Sequence, residues 1–277
     1  MIYNDTKERY SFLWTKHSNK ELPEKYHFNL MQEVIPEKIV RGKIGLDLGC
    51  GCGWDTFIMA RDNPSVKIIG LDMSEGVYGA AKLNSKMENA CVARGAASCI
   101  PLKDESCDFV YSFGVLHHME NYKIAFLEIF RVLKKGSPLF LYLYEDHSSN
   151  AMKYIAVRML AIIRKITVRI QPGILYYLSC VISPVLVLLF SYPAGIFKRF
   201  RATYKLYEAM PFNFGSSLFS LKGDIYDRFA TPVEIRFNQR GLHRIFMESN
   251  FTYPNITKLK TRAGWVVWAY KKQDIDA

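Results

Sequence analysis

The sequence is poorest in acid where it is richest in hydrocarbon. Residues 147–207 contain no aspartate or glutamate, yet nine lysines and arginines fall there, and from Gln171 to Phe197 there is no charged residue at all. With a net charge of +11 for the whole chain, that pattern argues against a cationic partner and for an anionic surface. Only six cysteines occur in 277 residues, and none forms a C-x-x-C pair. The usual zinc and dithiol motifs are thereby excluded, no metal site is expected, and reduced thiols fit a cytoplasmic setting. The first ten residues, MIYNDTKERY, lack the apolar core of a secretion signal. Internal repeats and low-complexity tracts are missing too, which argues against a solenoid.

What is present centres on residues 44–55, IGLDLGCGCGWD. An apolar run (Ile44, Leu46, Leu48) ends in glycines at alternate positions, Gly49, Gly51 and Gly53. A helical pattern, Phe57 to Ala60, follows. This reads as a buried strand, a tight glycine loop and a helix start, a loop whose bare backbone a ligand can approach. A second apolar run, Val66 to Leu71, ends in Asp72. An acid at the tip of the next strand suits the two hydroxyls of a ribose, so a nucleoside-containing cofactor is predicted. The glycine spacing is G-x-G-x-G rather than the dinucleotide G-x-G-x-x-G, and Asp47 precedes it. An acid there suits a cationic amino-acid moiety better than a pyrophosphate.

At this point the sequence resembles the class I S-adenosylmethionine-dependent methyltransferases, in particular the methyltransferase domain 11 group. Asp47 to Gly53 follows that group's acid-x-G-x-G-x-G motif. Gly95–Leu102 (GAASCIPL), Asp108–Met119 (DFVYSFGVLHHM) and Arg131–Gly136 (RVLKKG) look like its later segments, in order, over roughly residues 40–145. The resemblance implies S-adenosyl-L-methionine as cofactor, with Asp47, Gly49, Gly51, Gly53, Asp72, Met73, Ala96, Ala97 and Phe113 around it. It also implies an aromatic N-terminal lid, for which Tyr10, Phe12 and Trp14 are candidates, and a final antiparallel strand completing a seven-stranded sheet. Where the group commonly has an adenine-binding acid, this chain has Ala96. Adenine must then rest on backbone amides, on Ser98, or between Met73 and Ile100.

Alternating strand and helix signals predict an α/β fold, a doubly wound, mostly parallel sheet with helices on both faces and a helical insert. Strands are expected at Ile44–Leu48, Lys67–Leu71, Ala90–Arg94, Asp108–Phe113 and Leu139–Tyr144. Four regions follow: an N-terminal segment 1–43, a cofactor-binding core 44–146, a hydrophobic insert 147–223, and a closing region 224–277. In the last, Thr231-Pro232 reads as a helix start and a turn at Arg262–Gly264 joins two strands. Tyr154 to Ile170 has the pattern of a basic amphipathic helix at an anionic membrane. The uncharged run after it is long enough to span a bilayer. The resemblance puts both ends of the insert in one sheet, which leaves a hairpin bent near Pro184, an interfacial helix pair, or a cap over the site.

Methyl transfer from a sulfonium is an in-line displacement needing alignment, exclusion of water and, for some acceptors, a base. Candidate catalytic groups are His117 and His118 after the fourth strand, Glu145 and Asp146 after the fifth, and Asp227 beyond the insert. An apolar insert favours a small or lipid-linked acceptor (a quinone precursor, a polyprenyl-linked sugar or a fatty acyl compound) and a protein peripheral on the cytoplasmic membrane face. A nucleic-acid acceptor ranks lower, because the cations flank an apolar run rather than interleave with stacking aromatics. A non-catalytic, membrane-docked scaffold is a third reading, kept open by Ala96.

Overall fold

The computed structural model describes residues 2–17, 27–209, 218–259 and 263–273. It divides into two units: residues 1–145 with 233–277, and residues 146–232.

In the first unit, two helices, α1 (Ile2–His17) and α2 (His27–Gln32), precede the sheet. Strands β1 (Ile44–Leu48), β2 (Lys67–Asp72), β3 (Ala90–Arg94), β4 (Phe109–Phe113) and β5 (Pro138–Leu143) alternate with α3 (Trp54–Asp62), α4 (Gly76–Asn84) and α5 (Tyr122–Val132). The sheet has seven strands in the order β3-β2-β1-β4-β5-β7-β6, where β6 is Phe251–Lys258 and β7 is Trp265–Lys271. β1 to β5 run parallel; β7 enters antiparallel between β5 and β6. Each of the five parallel strands lies within a residue or so of its expected place, because each is an apolar run closed by glycine, acid or a turn, whereas β6 begins four residues before the expected Asn255–Lys260. Leu46 of β1 faces Ile69 of β2 on one side and Val110 of β4 on the other. Strand order reverses between β1 and β4, and a crevice opens at such a point beyond the strands' carboxyl ends.

The loop after β1 is held by backbone conformation: φ is +80° at Gly49, +55° at Gly51 and +83° at Gly53. At Gly53 a Cβ would lie 2.6 Å from the Ala80 Cβ and 2.8 Å from its Cα, so the glycine also sets how closely α3 and α4 approach. Gly53→Ala is expected to destabilise the fold by about 2–4 kcal/mol, from left-handed strain plus overpacking. Chemical denaturation would measure it.

At the end of the second unit, Thr231 closes a helix rather than opening one. Its Oγ1 donates to the Asp227 carbonyl at 2.7 Å. Residues 233–237 run extended instead, because their backbone is taken up by the sheet side: Ile235 N donates to the His117 carbonyl (2.8 Å) and Phe237 N to that of Tyr144 (2.9 Å). The next helix in that stretch begins only at Gln239, capped by the Asn238 side chain, which accepts from Gly241 N at 2.7 Å. Of the turn expected at Arg262–Gly264, Arg262 lies outside the described residues.

The second unit is helical: α6 (Ala151–Thr167), α7 (Pro172–Leu186), α8 (Tyr192–Phe197), α9 (Tyr204–Ala209) and α10 (Leu218–Ala230). It reaches Pro232, so residues 224–232 continue the insert rather than join the closing strands. No hairpin bends at Pro184, which lies inside α7; the ladder widens only afterwards, over Val187–Ser191. By length and composition alone, Pro172–Phe197 would suffice to cross a membrane.

Candidate active site

A cavity lies in the first unit, lined by the ends of β1, β2 and β4 together with α1. Five of the nine expected cofactor residues line it: Gly49, Asp72, Met73, Ala97 and Phe113.

Asp72 ends β2 with its carboxylate fixed by the backbone. Oδ2 accepts from Gly51 N at 2.8 Å and Oδ1 from Ser74 N at 2.7 Å. Each oxygen keeps acceptor capacity beyond that one bond. Leu48, Leu71, Met73, Val115 and Met119 supply apolar lining around it. A fixed carboxylate beside an apolar slot and a side-chain-free Gly49 fits an adenosine with an amino-acid tail.

The other four expected residues stand behind the wall. Asp47 is buried and accepts from Thr56 Oγ1 at 2.6 Å, which ties β1 to α3. Burial and the nearby Asp55 push its carboxyl well above the usual range. Gly51 turns its amide to Asp72, and a Cβ there would lie 2.8 Å from the Trp14 ring. Gly53 spaces α3 from α4. Ala96 closes a turn, its carbonyl accepting from Cys99 N at 3.0 Å, so its neighbours Gly95 and Ala97 meet the cavity instead. The loop cysteines are inert: burial raises the Cys50 thiol strongly and, with Asp55, carries Cys52 to about 12.

The lining includes residues not foreseen, Thr6 and Lys7 among them. Thr6, Lys7, Tyr10 and Trp14 share one face of α1 at three- and four-residue spacing, a signal that helical periodicity would have caught. Phe12, expected with Tyr10 and Trp14, is not among the lining residues. α1 is tied down where Glu75 N donates to Ser11 Oγ at 2.9 Å. The His27 ring stacks on Phe113 at 4.0 Å, and Phe113 on Tyr142 at 4.1 Å.

The candidate catalytic residues separate. His118 lines the cavity. Its Nδ1 lies 3.0 Å from the Val233 carbonyl. A carbonyl only accepts, so Nδ1 carries a proton, and in the neutral ring the lone pair is on Nε2. His117 is fully buried behind it, stacked on Tyr144 at 3.8 Å, and among the described residues neither ring nitrogen has a hydrogen-bond partner. Glu145 is buried against Lys258, 2.6 Å away. Asp146 and Asp227 belong to the second unit, where they serve local turns: Asp146 Oδ1 accepts from Ser148 N and Asp227 holds Thr231. A strand tip alone does not bring a carboxylate to the cavity.

Burial, with a smaller push from His118 and Arg236, holds the His117 ring well below the ordinary imidazole range. Unfolded, it titrates near 6.5. Below that pH the unfolded chain takes up a proton that the fold refuses. The stability this group contributes is therefore full above about pH 6.5 and falls with acid, by up to ~1.4 kcal/mol per pH unit. Urea melts at about pH 7.5 and about pH 5.5 should differ by this loss, and His117→Phe should shrink the difference.

Residues 46–141 match a family model described as a methyltransferase domain. Demethylmenaquinone methyltransferase of Lactococcus lactis subsp. lactis (strain IL1403) is 33% identical over 126 residues, 40% of this chain and 50% of that protein. The enzyme of the same name from Staphylococcus aureus (strain JH9) is 34% identical over 99 residues, 35% of this chain and 41% of that protein. The chain thus spans about half the length, or less, of these curated relatives. Human N-acetylserotonin methyltransferase, solved in complex with its methyl donor, shares the fold at 15% identity, covering 98% of this chain and 58% of that one, with a TM-score of 0.53.

Proposed function

We propose that this chain, which carries a class I S-adenosylmethionine-dependent methyltransferase domain, methylates a lipid-linked acceptor, a quinone-type ring foremost, at a cytoplasmic membrane surface. The observation that carries the reading is Asp72, anchored by two backbone amides in the wall of a largely apolar cavity that Gly49 also lines. Bound there, S-adenosylmethionine supplies a methyl group already activated by its sulfonium. Asp72 takes the two ribose hydroxyls. Met73 and Ala97 flank the adenine without a side-chain acid, and Gly49 lets the methionyl tail lie against bare backbone. Tyr10 and Trp14 of α1 cover the cavity and keep water from the displacement. His118 Nε2 accepts the proton that the acceptor sheds, while the Val233 carbonyl holds its tautomer. His117 is a packing residue behind it.

The quinone-type acceptor is supported by the names of the curated relatives, and the membrane setting by the acid-free stretch 147–207 of the helical unit. The test is transfer of labelled methyl from S-adenosylmethionine by the full chain. Demethylmenaquinone, a polyprenyl-linked sugar, a fatty acyl compound and RNA are offered in parallel. Label in the quinone is expected; label in RNA alone, or in none, would overturn the reading.

A further inference from the structure

Helices of a unit bathed in water turn large apolar side chains inward and polar ones outward. α6 and α7 instead turn most of their large apolar side chains outward. On α7 the buried positions are Leu175, Ser179 and Ser183. The Ser179 hydroxyl is spent on the Leu175 carbonyl one turn back, at 2.8 Å. Facing out are Ile174, Tyr177, Leu178, Val181, Ile182 and Val185. On α6, Arg164 is buried, donating from Nε to the Arg228 carbonyl at 2.8 Å, while Ile155, Met159, Ile162 and Ile166 are exposed. Only 17% of the most apolar window within Pro172–Phe197 is buried. An apolar exterior of this extent is built for a medium other than water.

A span is ruled out by the return path. The chain leaves the sheet after Glu145 and rejoins it where Phe237 N meets the Tyr144 carbonyl, so both ends of the helical unit lie on one side of any bilayer. Between Lys198 and Pro232 the longest uncharged stretch is residues 209–221. That is well short of the ~20 apolar residues a crossing helix needs. α10, which packs on both α6 and α7, carries Lys222, Asp224, Asp227 and Arg228. Those charges forbid a second crossing.

We infer that residues 146–232 form a monotopic anchor. α6, α7 and α8 lie in the plane of an anionic phospholipid leaflet, their outward apolar faces among the acyl chains. Arg158, Lys165, Arg169, Lys198, Arg199 and Arg201 sit at the headgroups. Charge complementarity selects the occupant: residues 147–207 offer nine cations and no acid. This deepens the membrane-surface reading above and rests on it.

The test floats the full chain with sealed vesicles of phosphatidylcholine, with and without phosphatidylglycerol. Flotation is expected on the anionic vesicles and should survive a high-salt wash. Replacing Arg158, Lys165 and Arg169 by glutamine should weaken partition by roughly two orders of magnitude. Ile162→Glu with Val181→Glu, both at exposed positions, should abolish it without altering S-adenosylmethionine binding. For topology, a cysteine is placed at the exposed Ala202 and treated with a membrane-impermeant maleimide. Peptide mass analysis reads it beside the native exposed Cys91 and Cys99. Equal labelling before and after detergent is expected. Protection relieved only by detergent would mean a span and would overturn the proposal. So would concentration-dependent dimers that ignore vesicles. Loss of flotation with donor binding intact would fault the anchor alone, whereas flotation without donor binding would fault the cavity reading.

Discussion

Turnover should fall by about 10²–10⁴-fold when His118 becomes alanine, the range that a positioned general base contributes. Affinity for the methyl donor should change far less, because the apolar lining and Asp72 are untouched. The expectation rests on the tautomer: Nδ1–H is committed to the Val233 carbonyl at 3.0 Å, which leaves Nε2 as the lone acceptor on a ring that lines the cavity. His118→Asn separates chemistry from architecture. Its side-chain amide can still donate to Val233, but it has no basic nitrogen. If His118 is the base, the asparagine variant is as slow as the alanine variant; if the ring only braces the loop, asparagine restores turnover. Near-wild-type turnover in the alanine variant would remove His118 from the chemistry altogether.

The second large effect belongs to Asp72. Two ribose hydroxyls donating to one carboxylate are charge-assisted hydrogen bonds of about 1.5–3 kcal/mol each. Asp72→Ala is therefore expected to weaken S-adenosylmethionine binding by roughly 10²–10⁴-fold. The same change strands the Gly51 and Ser74 amides, at a stability cost of about 1–3 kcal/mol apiece. Affinity must accordingly be read by titration of the folded protein rather than from a melting shift. Asp72→Asn keeps one acceptor oxygen and should fall between wild type and alanine in both quantities.

The sheet was legible because its strands are apolar runs bounded by glycine, acid or turn residues, as at Leu48-Gly49 and Leu71-Asp72. The cavity was half legible for a related reason. Parallel strands deliver their carboxyl ends to one edge, so Gly49, Asp72, Phe113 and His118 could be placed together from order alone. Asp47 and Gly51 could not be assigned a direction that way: the loop turns the first inward to Thr56 and uses the second to hold Asp72. Thr6 and Lys7 escaped notice because they reach the cavity only through packing of α1 over it. Thr231-Pro232 carried a sound local cue for a helix start, but tertiary hydrogen bonds to His117 and Tyr144 claimed the following backbone. The second unit shows a different limit. Composition reveals that residues 171–197 are apolar, but not that α7 buries Ser179 and Ser183 while turning Val181 and Val185 outward.

Calorimetric titration of the full chain with S-adenosylmethionine addresses the cavity most directly. Saturable binding of one donor per chain, lost in Asp72→Ala and retained in His118→Asn, is what an adenosine slot gripped by Asp72 predicts. A titration with no heat at millimolar donor, or one that Asp72→Ala leaves unchanged, would contradict it.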